Sequence, residues 1–478
     1  MRLLRGVYEG PRSHGILRAA TSIRGVHAVL RALPGEAYFT TLYGTRERTG
    51  EMAPVTLSPL REEPGDSMAP GNLTRDLASV LRRHSKTETV VLAHSEASLL
   101  SGETPQANLL PQKESRNPQL VTFSWEEPGI KETEAAELAL EDMIRATTQG
   151  APERSPYPTV NLFGPSIFGP GAAAEYAEAE RLLDLIGVEV NARVPLGAHA
   201  RDLGRLTRAW ANLLLYREVG ESATLFLQDE FGVPRVTTPM IGAAGTGAAL
   251  RALGELCQLD PKSVQRAIWG ELARTAKLPW YARLEPPETF RGRKVAIFGD
   301  FTYSLGLGYA LAREVGLEVA TCGTYLTHLE RDFLFHAHTF TEGAFVEDDP
   351  EAVAARIEAA EPDLIVGTYL EEGVADTLEV PFLPLCPPTA EKPFVERPLM
   401  GYAGSSVLAD ALDGILRDTS TRETPPDEAG ITWTDGALQE VAGVPAFLRG
   451  RARRLAEGHA RRQGSREVTR EIFLESRT

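Results

Sequence analysis

Cysteine is scarce in this chain: its 478 residues hold Cys257, Cys322 and Cys386, far apart and without a Cys-x-x-Cys pair. That pattern excludes a disulfide framework, and equally a zinc or iron–sulfur site built from this chain's thiolates alone. Each cysteine reads as a small buried hydrophobe. No lysine follows a glycine, so there is no phosphate-binding loop, and an ATP-driven reaction would need a separate ATPase subunit. Neither a Gly-x-Ser-x-Gly elbow nor a Ser/His/Asp arrangement supports hydrolase chemistry. Apolar runs fall short of the roughly 20 residues that span a bilayer. The start, Met1-Arg2-Leu3-Leu4-Arg5-Gly6, passes at once into polar and turn residues rather than a secretory signal, so a cytoplasmic location without a membrane span is expected. Basic charge is also short, 50 Lys and Arg against 66 Asp and Glu for a net −16, which argues against a nucleic-acid partner.

What is present is an ordinary globular composition, 42% hydrophobic and 24% charged, in a chain long enough for several domains. One theme recurs: an apolar strand ending in Gly or a small residue, followed by a helix-compatible stretch. Thr89–Ala93 precedes Glu96–Leu100, with a further strand at Gln119–Phe123. Thr159–Gly164 leads into an Ala- and Glu-rich helix, Ala172 to Ile186, then strands at Val188–Asn191 and Ala211–Tyr216. Lys294–Asp300 precedes a helix near Ser304 to Val315, then strands at Glu318–Thr321, Asp363–Gly367 and Val380–Leu383. Continuous apolar strands alternating with helices are the mark of parallel sheets covered on both faces. The expected class is therefore α/β, with three Rossmann-like domains and crevices at the carboxyl ends of their strands.

Composition shifts set the expected boundaries: a first domain at 1–155, a second at 156–290, a third at 291–418, a linker at 419–430 and a small helical C-terminal module at 431–478. Pro152 to Pro158 marks the first junction, and Asp418 to Asp427 the flexible linker. Arginines mixed with small and apolar residues, as in Leu448-Arg449-Gly450-Arg451-Ala452-Arg453-Arg454-Leu455, give the tail a basic face that suits a phosphate or carboxylate, or simply solvent.

Several local patterns carry weak signals. Gly306-Leu307-Gly308 and Gly245-Thr246-Gly247 lack the third glycine of a dinucleotide fingerprint, and glycines that ease helix–strand packing explain them better. His328, His336 and His338 gather around Arg331 and Asp332. The two-residue spacing of His336 and His338 suits one face of a strand better than a helix. Histidines in the core or in solvent account for the group more simply than a metal site does.

Residues alone end there; several ordered segments add a resemblance. Tyr8-Glu9-Gly10-Pro11, Gly25-Val26-His27-Ala28-Val29 and Pro34-Gly35-Glu36-Ala37-Tyr38 form a cysteine-free opening that joins an apolar strand to a turn with one carboxylate. Pro195-Leu196-Gly197-Ala198, Phe231-Gly232-Val233-Pro234-Arg235, Leu278-Pro279-Trp280-Tyr281-Ala282-Arg283, Pro398-Leu399-Met400-Gly401-Tyr402 and Val444-Pro445-Ala446-Phe447-Leu448 follow in order. Together they resemble the B-type subunits of the light-independent protochlorophyllide reductases, relatives of the nitrogenase molybdenum–iron protein, over nearly the whole chain. The resemblance implies an ATP-dependent oxidoreductase that reduces the ring D double bond of protochlorophyllide. It implies an N2B2 heterotetramer with an N-type subunit, an L-type ATPase dimer that hydrolyses the ATP, and ferredoxin as the indirect electron source. It also implies a [4Fe-4S] cluster held by three cysteines of the N-type subunit and one carboxylate of the B-type subunit.

Carried onto this chain, the resemblance makes Glu36 the cluster ligand, where the family has an aspartate, and places Met400, Gly401 and Tyr402 against the tetrapyrrole. The family's proton-donating aspartate falls on Pro286 in an ungapped alignment from Trp280, leaving Glu285 and Glu288 as the nearest carboxylates. A glutamate beside an apolar macrocycle has a raised pKa and can serve as the acid, which singles out Glu285 as the catalytic candidate. Family members usually carry a cysteine within the stretch His94-Ser95-Glu96, though not as a cluster ligand. A reductase acting on another tetrapyrrole, and a non-catalytic paralogue paired with an N-type subunit, are the competing expectations.

Overall fold

The computed structural model describes residues 6–36, 54–60, 73–100, 118–123, 129–148, 150, 153–166, 172–275, 292–388, 397–423, 432–442, 444, 452, 456, 459–460, 463, 465 and 467–476. The chain divides into two compact units, one of Val7–Lys277 with Lys392–Ser405, the other of Met1–Gly6, Leu278–Glu391 and Ser406–Thr478.

The first of these units holds two parallel sheets. Strands β1 (Val26–Ala32), β2 (Val55–Pro59), β3 (Thr89–His94) and β4 (Gln119–Thr122) pair in the order β2-β1-β3-β4. The central strands β1 and β3 are buried at every position, which is why they read as continuous apolar runs. The polar exceptions in β1 are bonded: Arg31 donates to the Pro59 carbonyl at 2.8 Å, and His27 pairs with the Thr56 hydroxyl at 2.9 Å. Strands β5 (Thr159–Phe163), β6 (Glu189–Val194), β7 (Ala211–Leu214) and β8 (Arg235–Val236) repeat the arrangement as β6-β5-β7-β8. Helices Arg12–Ser22 and Glu132–Thr147 pack in direct contact at Gly15, where a Cβ would lie 1.9 Å from the Glu132 carbonyl oxygen. Their apolar faces join residues of both sheets in one core that includes Ile16, Leu140, Phe163, Leu214 and Leu227.

The second unit carries β9 (Lys294–Gly299), β10 (Glu318–Thr324), β11 (Ala344–Val346), β12 (Leu364–Val366) and β13 (Phe382–Leu383), ordered β11-β10-β9-β12-β13 and all parallel. The helix after β9 begins at Phe301, earlier than the expected Ser304, because the Asp300 carboxylate caps it by accepting from Tyr303 N at 2.8 Å. The strand expected around His336 and His338 is instead a helix, Glu330–Ala337. Phe333 and Ala337, four residues apart, are its buried stripe, and that helical period outweighs the spacing of the histidines. Among the described residues no group of three or more His, Cys, Asp or Glu side chains is disposed to hold a metal ion. Gly308 lies in helix Phe301–Ala310 under the Phe340 ring, and Gly245 in helix Gly242–Leu256 against the Pro239 carbonyl, so both glycines serve close packing.

Helix Gly401–Glu423 runs into the stretch expected to be linker, whose residues 424–430 lie outside the described ones. In the tail, β14 (Thr432–Trp433) pairs in parallel with β15 (Glu467–Val468), flanked by helices Asp435–Ala442 and Arg470–Glu475. Its own small core joins Ala437, Val441, Val444, Ala456, Ala460, Val468 and Phe473. No helix among the described residues is long and apolar enough to cross a membrane.

Candidate functional site

In the first sheet the strand order reverses between β1 and β3, so a crevice opens beyond their carboxyl ends. Two short segments meet there. The chain leaves β1 through Leu33-Pro34-Gly35-Glu36, a turn closed by Glu36 N donating to Leu33 O at 3.1 Å. It leaves β3 at His94, and Ser95 N donates to Arg31 O at 2.9 Å, continuing the ladder one residue past the strand.

The Glu36 side chain folds back over its own turn. Its Oε2 accepts from Leu33 N at 2.9 Å and from the Ser95 hydroxyl at 2.7 Å. Among the described residues Oε1 accepts no hydrogen bond. Glu36 is half-buried, while Ser95 is 1% exposed. A carboxylate with one oxygen anchored and the other open has the form of a monodentate metal ligand. This chain's thiols are unsuited to complete such a site. Cys257, Cys322 and Cys386 are all buried, and burial pushes the Cys257 thiol up to about 11 and the other two higher than an ordinary thiol. Glu36 therefore fits an iron–sulfur cluster only as one ligand among others supplied from outside the chain.

The second group of expected residues lies against the segment that leads into helix Gly242–Leu256. Met400 forms an antiparallel bridge with Ile241, and Gly401 N donates to Met240 O at 2.7 Å. Gly401 adopts φ +74°, and a Cβ there would sit 2.4 Å from Cγ of Glu178. Glu178 in turn accepts from Ala403 N at 3.1 Å, in the first turn of helix Gly401–Glu423, and so offsets the positive end of that helix. Arg181 locks it in place, donating to both Glu178 oxygens at 2.8 and 2.9 Å and to Glu271 at 2.7 and 3.1 Å. These two carboxylates raise the Arg181 pKa above the usual guanidinium value. Met400 and Tyr402 are buried, at 1% and 2% exposure, so both side chains are held in packing.

The structure thus brings Glu36 together with Ser95, and Met400, Gly401 and Tyr402 together with Glu178. Glu285, Trp280 and Pro286 lie outside the described residues. Sequence reasoning missed Ser95 as a partner of Glu36, although both follow parallel strands and so belong at the same sheet edge. It also missed Glu178, Arg181 and Glu271, because no local signal links them to a segment more than 100 residues away.

Comparison with known proteins adds a consistent picture. Residues 12–417 match the family described as nitrogenase component 1 type oxidoreductase, and residues 433–477 match the proto-chlorophyllide reductase 57 kD subunit. The chain is 29% identical to the B subunit of the light-independent protochlorophyllide reductase of Chlorobium limicola, with 100% of this chain and 99% of that one covered. It is 30% identical to the protein of the same name from Heliobacterium modesticaldum, covering 99% of this chain and 97% of that one. Among solved structures, nitrogenase Cp1 at pH 6.5 superimposes with a TM-score of 0.73 at 16% identity, over 89% of this chain and 96% of that one, a likeness of fold.

Proposed function

The chain belongs to the nitrogenase component 1 type oxidoreductases, and from that premise we propose that it is the B-type catalytic subunit of a light-independent protochlorophyllide reductase. The observation that carries this reading is the end-to-end correspondence: an oxidoreductase body over 12–417 is followed by a reductase-specific tail over 433–477, in the order of the B-type subunits it resembles. Its reaction is the reduction of the ring D double bond of protochlorophyllide to chlorophyllide.

A chain without a phosphate-binding loop or a cysteine cluster suits the division of labour that the resemblance implies. Its partners in this reading are an N-type subunit, in an N2B2 heterotetramer, and an L-type ATPase dimer fed by ferredoxin, all in the cytoplasm. Three thiolates of the N-type subunit and Glu36 would hold a [4Fe-4S] cluster, whose chemistry is one-electron delivery. Glu36 would offer Oε1, with Oε2 fixed by Leu33 N and Ser95. A carboxylate is a harder ligand than a thiolate and tunes the cluster's potential accordingly. The Met400–Gly401–Tyr402 segment, held by Glu178, would shape an apolar wall against the macrocycle. Glu285 would supply a proton in place of the aspartate that Pro286 replaces. That replacement favours a second reading, in which the same machinery reduces a different tetrapyrrole.

Anaerobic co-expression with an N-type subunit tests the proposal. A stable complex containing about four irons per copy of this chain is expected. Glu36→Ala should lower the iron content or alter the cluster's paramagnetic resonance. A complex without iron would refute the cluster-bearing reading, and one indifferent to Glu36→Ala would remove Glu36 from the ligand set.

A further inference from the structure

The contact between Glu36 and Ser95 has a fixed polarity. A serine hydroxyl has one proton to give, and the Ser95 oxygen already accepts from Ser98 N at 3.3 Å, so its proton is directed at Glu36 Oε2, 2.7 Å away. The backbone of Ser95 is pinned on both sides. Its N–H donates to Arg31 O at 2.9 Å, and its carbonyl accepts from Leu99 N at 3.1 Å. A donor this immobile is preorganised, and it meets the carboxylate together with the Leu33 N–H at a single oxygen. Glutamate has one more rotatable bond than aspartate, and two convergent donors remove that freedom.

Taking Glu36 as an iron ligand in the B-type reading, we propose that Ser95 is a positioning residue for it. The hydroxyl fixes Oε2, which leaves Oε1 for the metal, and draws electron density from the carboxylate that would bind it. A hydrogen bond to a ligand oxygen weakens its donation to iron and raises the reduction potential of the centre. Ser95 also caps the short helix that follows it, and this purely structural role would affect folding without reaching the iron.

The test uses complexes with the N-type partner, purified anaerobically as wild type, Ser95→Ala and Ser95→Thr. Each is measured for iron content, for the g-values of the reduced cluster and for the midpoint potential by redox titration. The proposal expects Ser95→Ala to keep its iron, shift its g-values and move to a more negative potential, with Ser95→Thr restoring both. Wild-type g-values and potential in Ser95→Ala at full iron content would overturn it. If Ser95→Ala does not assemble, Ser95→Thr decides: wild-type spectra support the proposal and shifted ones overturn it. A wild-type complex without a cluster would refute the Glu36 reading itself, and this proposal with it, so the two failures are distinguishable.

Discussion

Gly401→Ala should be among the costlier single-methyl additions in the chain, and its cost has two separable parts. At φ +74° an alanine takes up a left-handed conformation, at about 1–2 kcal/mol. The new methyl would then stand 2.4 Å from Glu178 Cγ, 2.6 Å from its Oε1 and 2.9 Å from its Cδ. Glu178 has little freedom to retreat, because Ala403 N and Arg181 both hold it. Overpacking of a site that cannot yield adds about 1–3 kcal/mol, giving a total of about 2–5 kcal/mol. Gly232→Ala is the matched control: φ is +67° and nothing lies within 4 Å of the added Cβ, so it should cost the conformational part alone. Urea unfolding of both variants reads the difference. Adding Glu178→Ala to Gly401→Ala should cost less than the sum of the two single changes, since the clash then disappears. Equal destabilisation by Gly401→Ala and Gly232→Ala, or strict additivity in the double variant, would refute the reasoning.

Acid should expose the burial of His27. Its pKa is held down to about 4, first by burial and then by the nearby charge of His84, whose ring centroid lies 4.3 Å away. The fold binds the neutral imidazole, so the stability it contributes is complete above the unfolded value of 6.5 and is lost as pH falls from 6.5 toward 4. The loss is on the order of 3 kcal/mol at about 1.4 kcal/mol per unit. Melting curves at pH 7.5 and 5 should show a smaller acid penalty for His27→Gln than for wild type, and identical penalties would contradict the account. In the tail, Phe473 is fully buried and meets Trp433 at 6.1 Å, so Phe473→Ala should cost about 3–5 kcal/mol in a core of few residues. Limited proteolysis should then remove the tail while sparing the body, and an unchanged cleavage rate would count against an independent tail core.

The parallel sheets were legible because their central strands are buried on both faces and cannot hide that in the sequence. Thr89–His94 and Lys294–Gly299 are nearly all apolar, and each ends where a turn residue begins the next helix. Helix Arg12–Ser22 was not legible. It buries Ser13, Gly15, Thr21 and Ser22 along with its apolar residues, so no polar face marks its period. The histidines at 336 and 338 misdirected the reading of their segment, because a spacing of two is compatible with a helix end when Phe333 and Ala337 set the buried face. Glu36 was visible as a lone carboxylate after a strand. Its bond to Ser95 was not, since strand order decides which carboxyl ends become neighbours and no residue in either strand encodes that order. The hold of Glu178 on Gly401 is of the same kind, a contact between segments that share nothing local.

The most direct measurement is turnover. A complex of this chain with an N-type subunit, supplied with an L-type ATPase, ATP, a low-potential electron donor and protochlorophyllide, is followed anaerobically by the absorbance of product. The account predicts chlorophyllide formed only when ATP and every subunit are present, and lost with Glu36→Ala. A complex that carries its cluster, receives electrons and leaves protochlorophyllide unreduced would contradict it.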